Sequence, residues 1–146
     1  QSPALAILES HESKWPTGDI KKQGYKFLGY QLGDSRKPTF LYQLNKMRVV
    51  DYPNPEVGGG EFPALDRTLT ISSEKDERNL FMRPVVASKS LIINNDGTVT
   101  VDGQWTLIIH GNVDKPFVRG KELLVPVILS NKDKHHVAKI NLRYRW

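Results

Sequence analysis

The residue types that most often carry chemistry in proteins are sparse in this chain. Its histidines are His11, His110, His135 and His136, and it contains no cysteine. His135 and His136 lie together at the predicted start of a strand, where neighbouring side chains point to opposite faces and cannot hold one metal ion. Without cysteine, the chain has no thiolate nucleophile and no Cys-x-x-Cys-His attachment for a covalent haem. We therefore predict no metal site and no cofactor within these residues.

Acid–base and nucleophilic sites are also weakly indicated. Hydrolysis of a glycoside needs two facing carboxylates about 5 to 10 Å apart, and Asp51, Glu61 and Asp66 are candidates. Such pairs are common in chains of this length, so the pattern has little specificity. The serines lack the Gly-x-Ser-x-Gly turn of a hydrolase, and the glycines at 58–60 lack the Lys-Ser/Thr and the helix that complete a phosphate loop. These patterns predict no catalytic residue.

Aromatic side chains are the better candidates for a functional role. Exposed rings on a β-sheet can stack on sugar rings while Arg and Lys bond to the hydroxyls, although most large aromatic side chains fill cores. The tryptophans and tyrosines are Trp15, Tyr25, Tyr30, Tyr42, Tyr52, Trp105, Tyr144 and Trp146. From these and from an exposed basic turn we select five candidate ligand contacts: Trp15, Tyr30, Arg36, Lys37 and Trp105.

The end of the chain shows which kind of element positions these side chains. From His136 to Trp146 the even positions carry His, Ala, Ile, Leu, Tyr and Trp, whereas the odd positions from His135 carry His, Val, Lys, Asn, Arg and Arg. This period of two predicts a strand with one apolar and one cationic face, as in an antiparallel sheet with one wet side. We expect its larger apolar side chains to close the core: Ile140, Leu142, Tyr144 and Trp146.

The same alternation recurs along most of the chain between turn sequences such as Asn95-Asp96-Gly97 and Asp102-Gly103. About ten short strands and no convincing long helix predict an all-β fold, an antiparallel β-sandwich, with a closed β-barrel as the alternative. We divide the chain into an entry segment, residues 1–22, that packs on the sheet, and a single sandwich domain, residues 23–146.

Three segments are less regular than the rest. Ala4 to Glu12 is predicted to form one or two helical turns that Trp15-Pro16 ends. Pro53 to Pro63 contains three prolines and three consecutive glycines, which predicts an irregular loop. Glu122 to Ser130 is almost continuously apolar and predicts a strand buried on both faces, with a bulge or an edge position at Pro126.

Length and composition limit the function classes further. The 146 residues suffice for one domain, and 38% apolar with 25% charged residues is typical of a globular chain. The net charge of +5 is spread along the sequence instead of forming a basic stripe, so we predict no nucleic-acid partner. No apolar run approaches the roughly 18 residues of a membrane span, which predicts no membrane insertion. The first residues also lack the pattern of a signal peptide.

Several segments taken together resemble a known domain. They are Ala6-Ile7-Leu8-Glu9-Ser10 leading to Trp15-Pro16, Tyr25–Leu32, Arg36–Tyr42, Val49–Tyr52, Leu65–Thr70, Asn79–Arg83 and Glu122–Pro126. With them the chain resembles an uncharacterised β-rich accessory domain in large secreted proteins of planctomycete-type and related bacteria. Those proteins join the domain to c-type haem domains and to a propeller similar to that of quinone-dependent sugar dehydrogenases.

The resemblance implies a context more than a mechanism. The redox chemistry of that family belongs to the haem and propeller modules, so no catalytic residue and no cofactor carries over to this chain. What it implies is an exported protein, periplasmic or extracellular, in which this domain is a non-catalytic accessory module that contacts neighbouring domains. The alternatives are a carbohydrate-binding module and, less favoured, a small glycan-active enzyme. The expected partners are therefore neighbouring domains of the same protein and, in the alternative, carbohydrate.

Overall fold

The computed structural model describes residues 4–56 and 63–146, and the regular elements in these ranges are β-strands. The thirteen strands are β1 Leu5–Ile7, β2 Tyr25–Leu32, β3 Pro38–Leu44, β4 Met47–Glu56, β5 Ala64–Ser73, β6 Leu80–Val86, β7 Leu91–Ile93, β8 Val99–Val101, β9 Trp105–Gly111, β10 Phe117–Arg119, β11 Glu122–Pro126, β12 Ser130–Lys132 and β13 His135–Arg145. The count exceeds the expected ten because several strands have only three residues.

The strands form two antiparallel sheets of unequal size. The small sheet has four strands in the order β1-β6-β11-β10. The large sheet has nine, in the order β2-β3-β4-β5-β13-β9-β8-β7, with β12 also paired to β13. Neither sheet closes on itself in the described residues. The predicted all-β class and β-sandwich are therefore confirmed, and the barrel alternative is not.

Strand β13 lies in the middle of the large sheet. It pairs with β5 over residues 136–145 on one side, and with β12 and then β9 on the other. Ile140 and Leu142 are 0% and 1% exposed, which confirms their predicted place in the core. The same prediction is wrong for Trp146, which is 51% exposed, while Tyr144 is partly buried and packs against the edge of the core. The apolar face of this strand therefore extends beyond the core.

The main core lies between the inner faces of the two sheets. Each sheet contributes side chains that are almost completely buried: Met47, Val49, Leu69, Ile71, Leu107, Ala138, Ile140 and Leu142 from the large sheet, and Leu80, Met82, Leu123 and Val125 from the small one. Burial of one large aliphatic side chain stabilises the fold by about 1.5–3 kcal/mol. The sheets are thus held together by the apolar side chains that the alternation places on their inner faces.

A second apolar cluster lies on the opposite face of the small sheet. There Leu8 and Trp15, from the segment after β1, pack on Phe81 and Leu124. The guanidinium of Arg119 donates to the carbonyl oxygens of residues 11 and 13, at 3.0 and 2.5 Å. These contacts attach residues 8–16 to the small sheet and make Trp15 part of a core.

The structure corrects the prediction of helical turns between Ala4 and Glu12. Residues Leu5–Ile7 form β1 instead, paired antiparallel with β6. Leu5 and Ala6 are both buried although they point to opposite faces of the sheet. The edge of β6 supplies backbone partners, while the main core covers Leu5 on one face and the second cluster covers Ala6 on the other. Together these contacts outweigh the weak local preference for a helix.

The two other irregular segments are also corrected. Strand β4 continues through Pro53 and Pro55 to Glu56, and β3 pairs with it only as far as Asp51. The prolines therefore lie where β4 has a neighbour on one side only, a position that tolerates a missing N–H. The rest of the predicted loop, residues 57–62 with its three glycines, lies outside the described residues.

The apolar run 122–130 is not one strand. Strand β11 ends at Pro126 and β12 starts at Ser130, while Val127 forms a single bridge with Val113. The expected bulge occurs just before the proline, where the pairing of β11 with β6 shifts register between Leu123 and Val125.

Gly111 is a point where two strands approach too closely for a side chain. A Cβ at this position would overlap the carbonyl oxygen of Lys139 on β13. Gly29 has a similar backbone angle, with φ of +126° against +119°, but nothing lies within 4 Å of its Cβ position.

We predict that Gly111→Ala lowers the free energy of unfolding by about 3 kcal/mol more than Gly29→Ala does. Both variants carry the conformational strain, and only the first forces β9 away from β13. Urea unfolding of the two variants measures the difference, and equal losses would contradict this packing.

Candidate functional site

Among residues 4–56 and 63–146, the large sheet extends beyond the small sheet that covers it, and these residues leave one corner of its inner face uncovered. The side chains of Val49 and Asp51 on β4 point into the core and are almost fully buried. Their register partners on β3 are Tyr42 and Phe40, whose partners on β2 are Phe27 and Tyr30. Residues directly opposite each other in a sheet share a face. The aromatic side chains of β2 and β3 therefore continue the inner face outward.

We call this region the open corner and define it by Phe27, Tyr30, Leu32, Phe40 and Tyr42. The rings pair across the two strands, with centroids 5.3 Å apart for Phe27 and Tyr42 and 6.5 Å apart for Tyr30 and Phe40. Phe27, Tyr30 and Leu32 are 53%, 62% and 61% exposed. Large apolar side chains on an inner sheet face are normally covered by the facing sheet. Here they are exposed, so the open corner is an exposed apolar surface.

A buried ion pair separates the open corner from the core. Arg67 on β5 donates from Nε to Asp51 Oδ1 at 2.9 Å and from Nη2 to Oδ2 at 2.6 Å. The Asp51 side chain is only 6% exposed, whereas that of Arg67 is 28% exposed. A two-point contact of this kind fixes the orientation of both groups. The Asp51 carboxylate is thus buried on the inner face of the sheet, while the Arg67 guanidinium is partly exposed to solvent.

Three tyrosines surround this ion pair, and their pKa values reflect the setting. Burial raises the pKa of Tyr25 to about 12; ionisation beside Tyr42 and Asp51 is disfavoured as well, while the charge of Arg67 opposes the shift. Burial also raises the pKa of Tyr42 and of Tyr144, against the opposing charge of Arg67. Burial lowers the pKa of Arg67, but its hydrogen bond and ion pair with Asp51 outweigh that and raise it. At neutral pH the site therefore presents neutral phenols around one fixed cation.

A second aromatic cluster lies on the same face near the end of the chain. The Trp105 ring centroid is 5.8 Å from that of Tyr144 and 6.4 Å from that of Trp146. Trp105 and Tyr144 pack partly against the core, and Trp146 is 51% exposed. This cluster gives a second surface of tilted rings, which we call the tryptophan cluster.

The predicted ligand contacts are only partly brought together. Tyr30 belongs to the open corner, and Arg36 and Lys37 lie in the exposed turn that follows β2. Lys37 Nζ donates to Asn54 Oδ1 on β4 at 2.5 Å. Trp105 is on β9, five strands from β2, which is about 24 Å at the usual strand spacing.

Trp15 is separate from these groups. It is 5% exposed in the cluster behind the small sheet, with the Arg83 guanidinium 4.9 Å above its ring. The ring of Trp15 is therefore already covered by protein and does not belong to either exposed aromatic surface.

The candidate carboxylates do not face one another. Asp51 points to the inner face, whereas Asp66 pairs with Asn54 on the outer face and lies 3.5 Å from Arg143. Glu61 lies outside the described residues. Within the ranges that the structure describes, no group of three or more His, Cys, Asp or Glu is placed to hold a metal ion.

Sequence reasoning missed the ion pair and most of the open corner. Phe27 and Leu32 alternate with polar residues as any strand does, and nothing in that pattern shows that the facing sheet stops short of them. The signal that was available is the excess of apolar residues on both faces of β2, where Leu28 is also 44% exposed.

The comparisons with known proteins leave the family of this chain open: no family model matches it, and no curated protein or solved structure is detectably similar. No helix in residues 4–56 and 63–146 is long and apolar enough to cross a membrane.

Proposed function

We propose that this chain is a non-catalytic interaction module of an exported bacterial multidomain protein, linked to c-type haem domains, and that it docks a neighbouring domain through the open corner. The exposed apolar side chains of Phe27, Tyr30 and Leu32 support the proposal most directly. Apolar patches of this kind mark interaction surfaces, because leaving them in water is unfavourable.

The groups beside the open corner suit docking better than bond cleavage. The buried carboxylate at its margin, Asp51, is already bonded to Arg67, and the tyrosines around this pair are neutral at physiological pH. Rigid aromatic side chains around one fixed arginine are the composition that is enriched at the centres of protein interfaces. The ion pair then acts as a support that keeps the Arg67 side chain in one orientation.

The docking proposal predicts that neighbouring domains bind this chain through β2. The coding sequence on either side is first read for Cys-x-x-Cys-His, and the domain found is expressed and titrated against this chain by calorimetry. We expect Tyr30→Ala and Leu32→Ala each to weaken binding by about fivefold to thirtyfold, as for an interface residue worth 1–2 kcal/mol. Gln31→Ala is the matched control, because its side chain lies on the same strand and the other face. A gene that encodes this domain alone, or binding that the two variants leave unchanged, would contradict the proposal.

The tryptophan cluster favours carbohydrate binding as a second function. Trp105, Tyr144 and Trp146 form a group of tilted rings in which Trp146 is 51% exposed, and exposed aromatic rings can stack on sugar rings. Tyr144 also interacts with Arg67 beside the open corner. Trp105 and Trp146 are not part of that corner, so substitutions at these two residues separate the two functions.

A glycan array with the isolated chain tests this second function. We predict that a bound glycan loses about tenfold in affinity when Trp105 or Trp146 is replaced by Ala, because one stacked ring contributes about 1–2 kcal/mol. Ile92→Ala is the control, since Ile92 is an exposed apolar residue, 55% exposed, on another strand. No binding to any glycan, or equal losses in all three variants, would rule out the tryptophan cluster as a sugar site.

A further inference from the structure

Strand β2 is one edge of the large sheet. It pairs with β3, and no strand within residues 4–56 and 63–146 pairs with its other side. An edge strand presents unpaired N–H and C=O groups that can bind a further strand. The question is which groups of β2 point outward and what surrounds them.

Two backbone hydrogen bonds settle which residues point outward. Gly33 N–H donates to Lys37 O at 3.3 Å, and Asn45 N–H donates to Gly24 O at 2.8 Å. Opposed residues in an antiparallel pair alternate between bonded and non-bonded pairs. The pairs Leu32–Pro38, Tyr30–Phe40 and Phe27–Tyr42 are therefore the non-bonded ones.

In non-bonded pairs the backbone N–H and C=O point away from the partner strand. Phe27, Tyr30 and Leu32 thus direct their backbone groups to the free edge. Tyr25 has the same phase, and its N–H is already taken by Ile20 O at 3.0 Å, as expected for an outward-pointing group. Leu28 is the extra residue of a bulge, so the alternation of bonded and non-bonded pairs places Phe27 and Tyr30 in the same class on its two sides.

The free backbone groups and the exposed apolar side chains therefore belong to the same residues. A strand added at this edge would bond to the backbone of Phe27, Tyr30 and Leu32 and also cover their side chains on the inner face. A groove of about 640 Å³ lies at the start of this edge, and its lining includes Ile20, Tyr25, Lys26 and Phe27. Lys26 lies on the outer face, opposite Gln43.

The charge around the edge selects the partner. Residues 19–38 carry five cations, Lys21, Lys22, Lys26, Arg36 and Lys37, against two carboxylates, Asp19 and Asp34, so their net charge is +3 of the +5 of the whole chain. Asp19 is engaged in its own turn, where it accepts from Lys21 N–H at 3.0 Å. Pairing of β2 with a second copy would bring two such positive segments together.

We propose that β2 binds an extended acidic peptide segment by strand addition, with apolar side chains on the inner face and carboxylates towards Lys26 and the turn at Arg36 and Lys37. This deepens the proposed function and rests on it, because it names the chemistry of the docking partner. The bulge and the lysine disfavour arbitrary strands and make the edge selective for a segment that complements them.

The test is a nuclear magnetic resonance titration of the ¹⁵N-labelled chain with two ten-residue peptides. One alternates glutamate and valine, and the matched control alternates lysine and valine. We expect the acidic peptide to shift and protect the amides of Phe27, Tyr30 and Leu32, and to bind at least about tenfold more tightly than the basic one. Lys26→Glu should reduce that preference by about fivefold, as for one cross-strand charge pair.

Tyr30→Pro removes one outward N–H at a position that an edge strand tolerates, and should weaken the acidic peptide more than Tyr30→Ala does. Equal binding of both peptides, the absence of shifts on β2, or a dimer in sedimentation velocity that Lys26→Glu alters would overturn strand addition. A neighbouring domain whose binding is weakened by Tyr30→Ala, and weakened no further by Tyr30→Pro, would separate the two proposals. In that case the docking function stands and strand addition fails.

Discussion

The ladder between β5 and β13 is the interaction on which the large sheet depends. It runs over residues 64–73 and 136–145 and joins two parts of the chain that are far apart in sequence. On one side of it lie β2 to β4, which form successive hairpins, and on the other lie β7 to β9. Without it the two halves would each expose an apolar face and an unpaired edge. Its buried apolar residues belong to the main core: Leu69, Ile71, Ala138, Ile140 and Leu142.

The difference in size between the sheets is the origin of the candidate site. Nine strands cannot be covered by four, so part of the inner face of the large sheet remains open. The Asp51–Arg67 ion pair lies at the boundary, where the carboxylate is buried and the guanidinium is not. The buried carboxylate is tolerated there because the hydrogen bonds from its cationic partner replace the lost water. The candidate site is thus a consequence of sheet geometry. The Asp51–Arg67 ion pair fixes the side chains at its boundary with the core.

Much of the fold follows from local patterns. The alternation from His136 to Trp146 and the turn at Asn95-Asp96-Gly97 predict strands and connections that the structure contains. What local patterns could not predict is which strands meet across long distances. Strand β1 depends on an edge of β6 that lies about 75 residues away along the chain. The exposure of Phe27 and the burial of Trp15 likewise depend on where the small sheet ends and on what covers its back.

We propose that the edge and the exposed face of β2 bind the partner of this domain. Amide hydrogen exchange tests this proposal by comparing the chain alone with the multidomain protein proposed above. In the isolated chain the amides of Phe27, Tyr30 and Leu32 should exchange rapidly, while Lys26 and Gln31, which point towards β3, should be protected. In the proposed multidomain protein the first three should become protected as well. Unchanged rapid exchange at these three amides in that protein would show that β2 is not the docking strand.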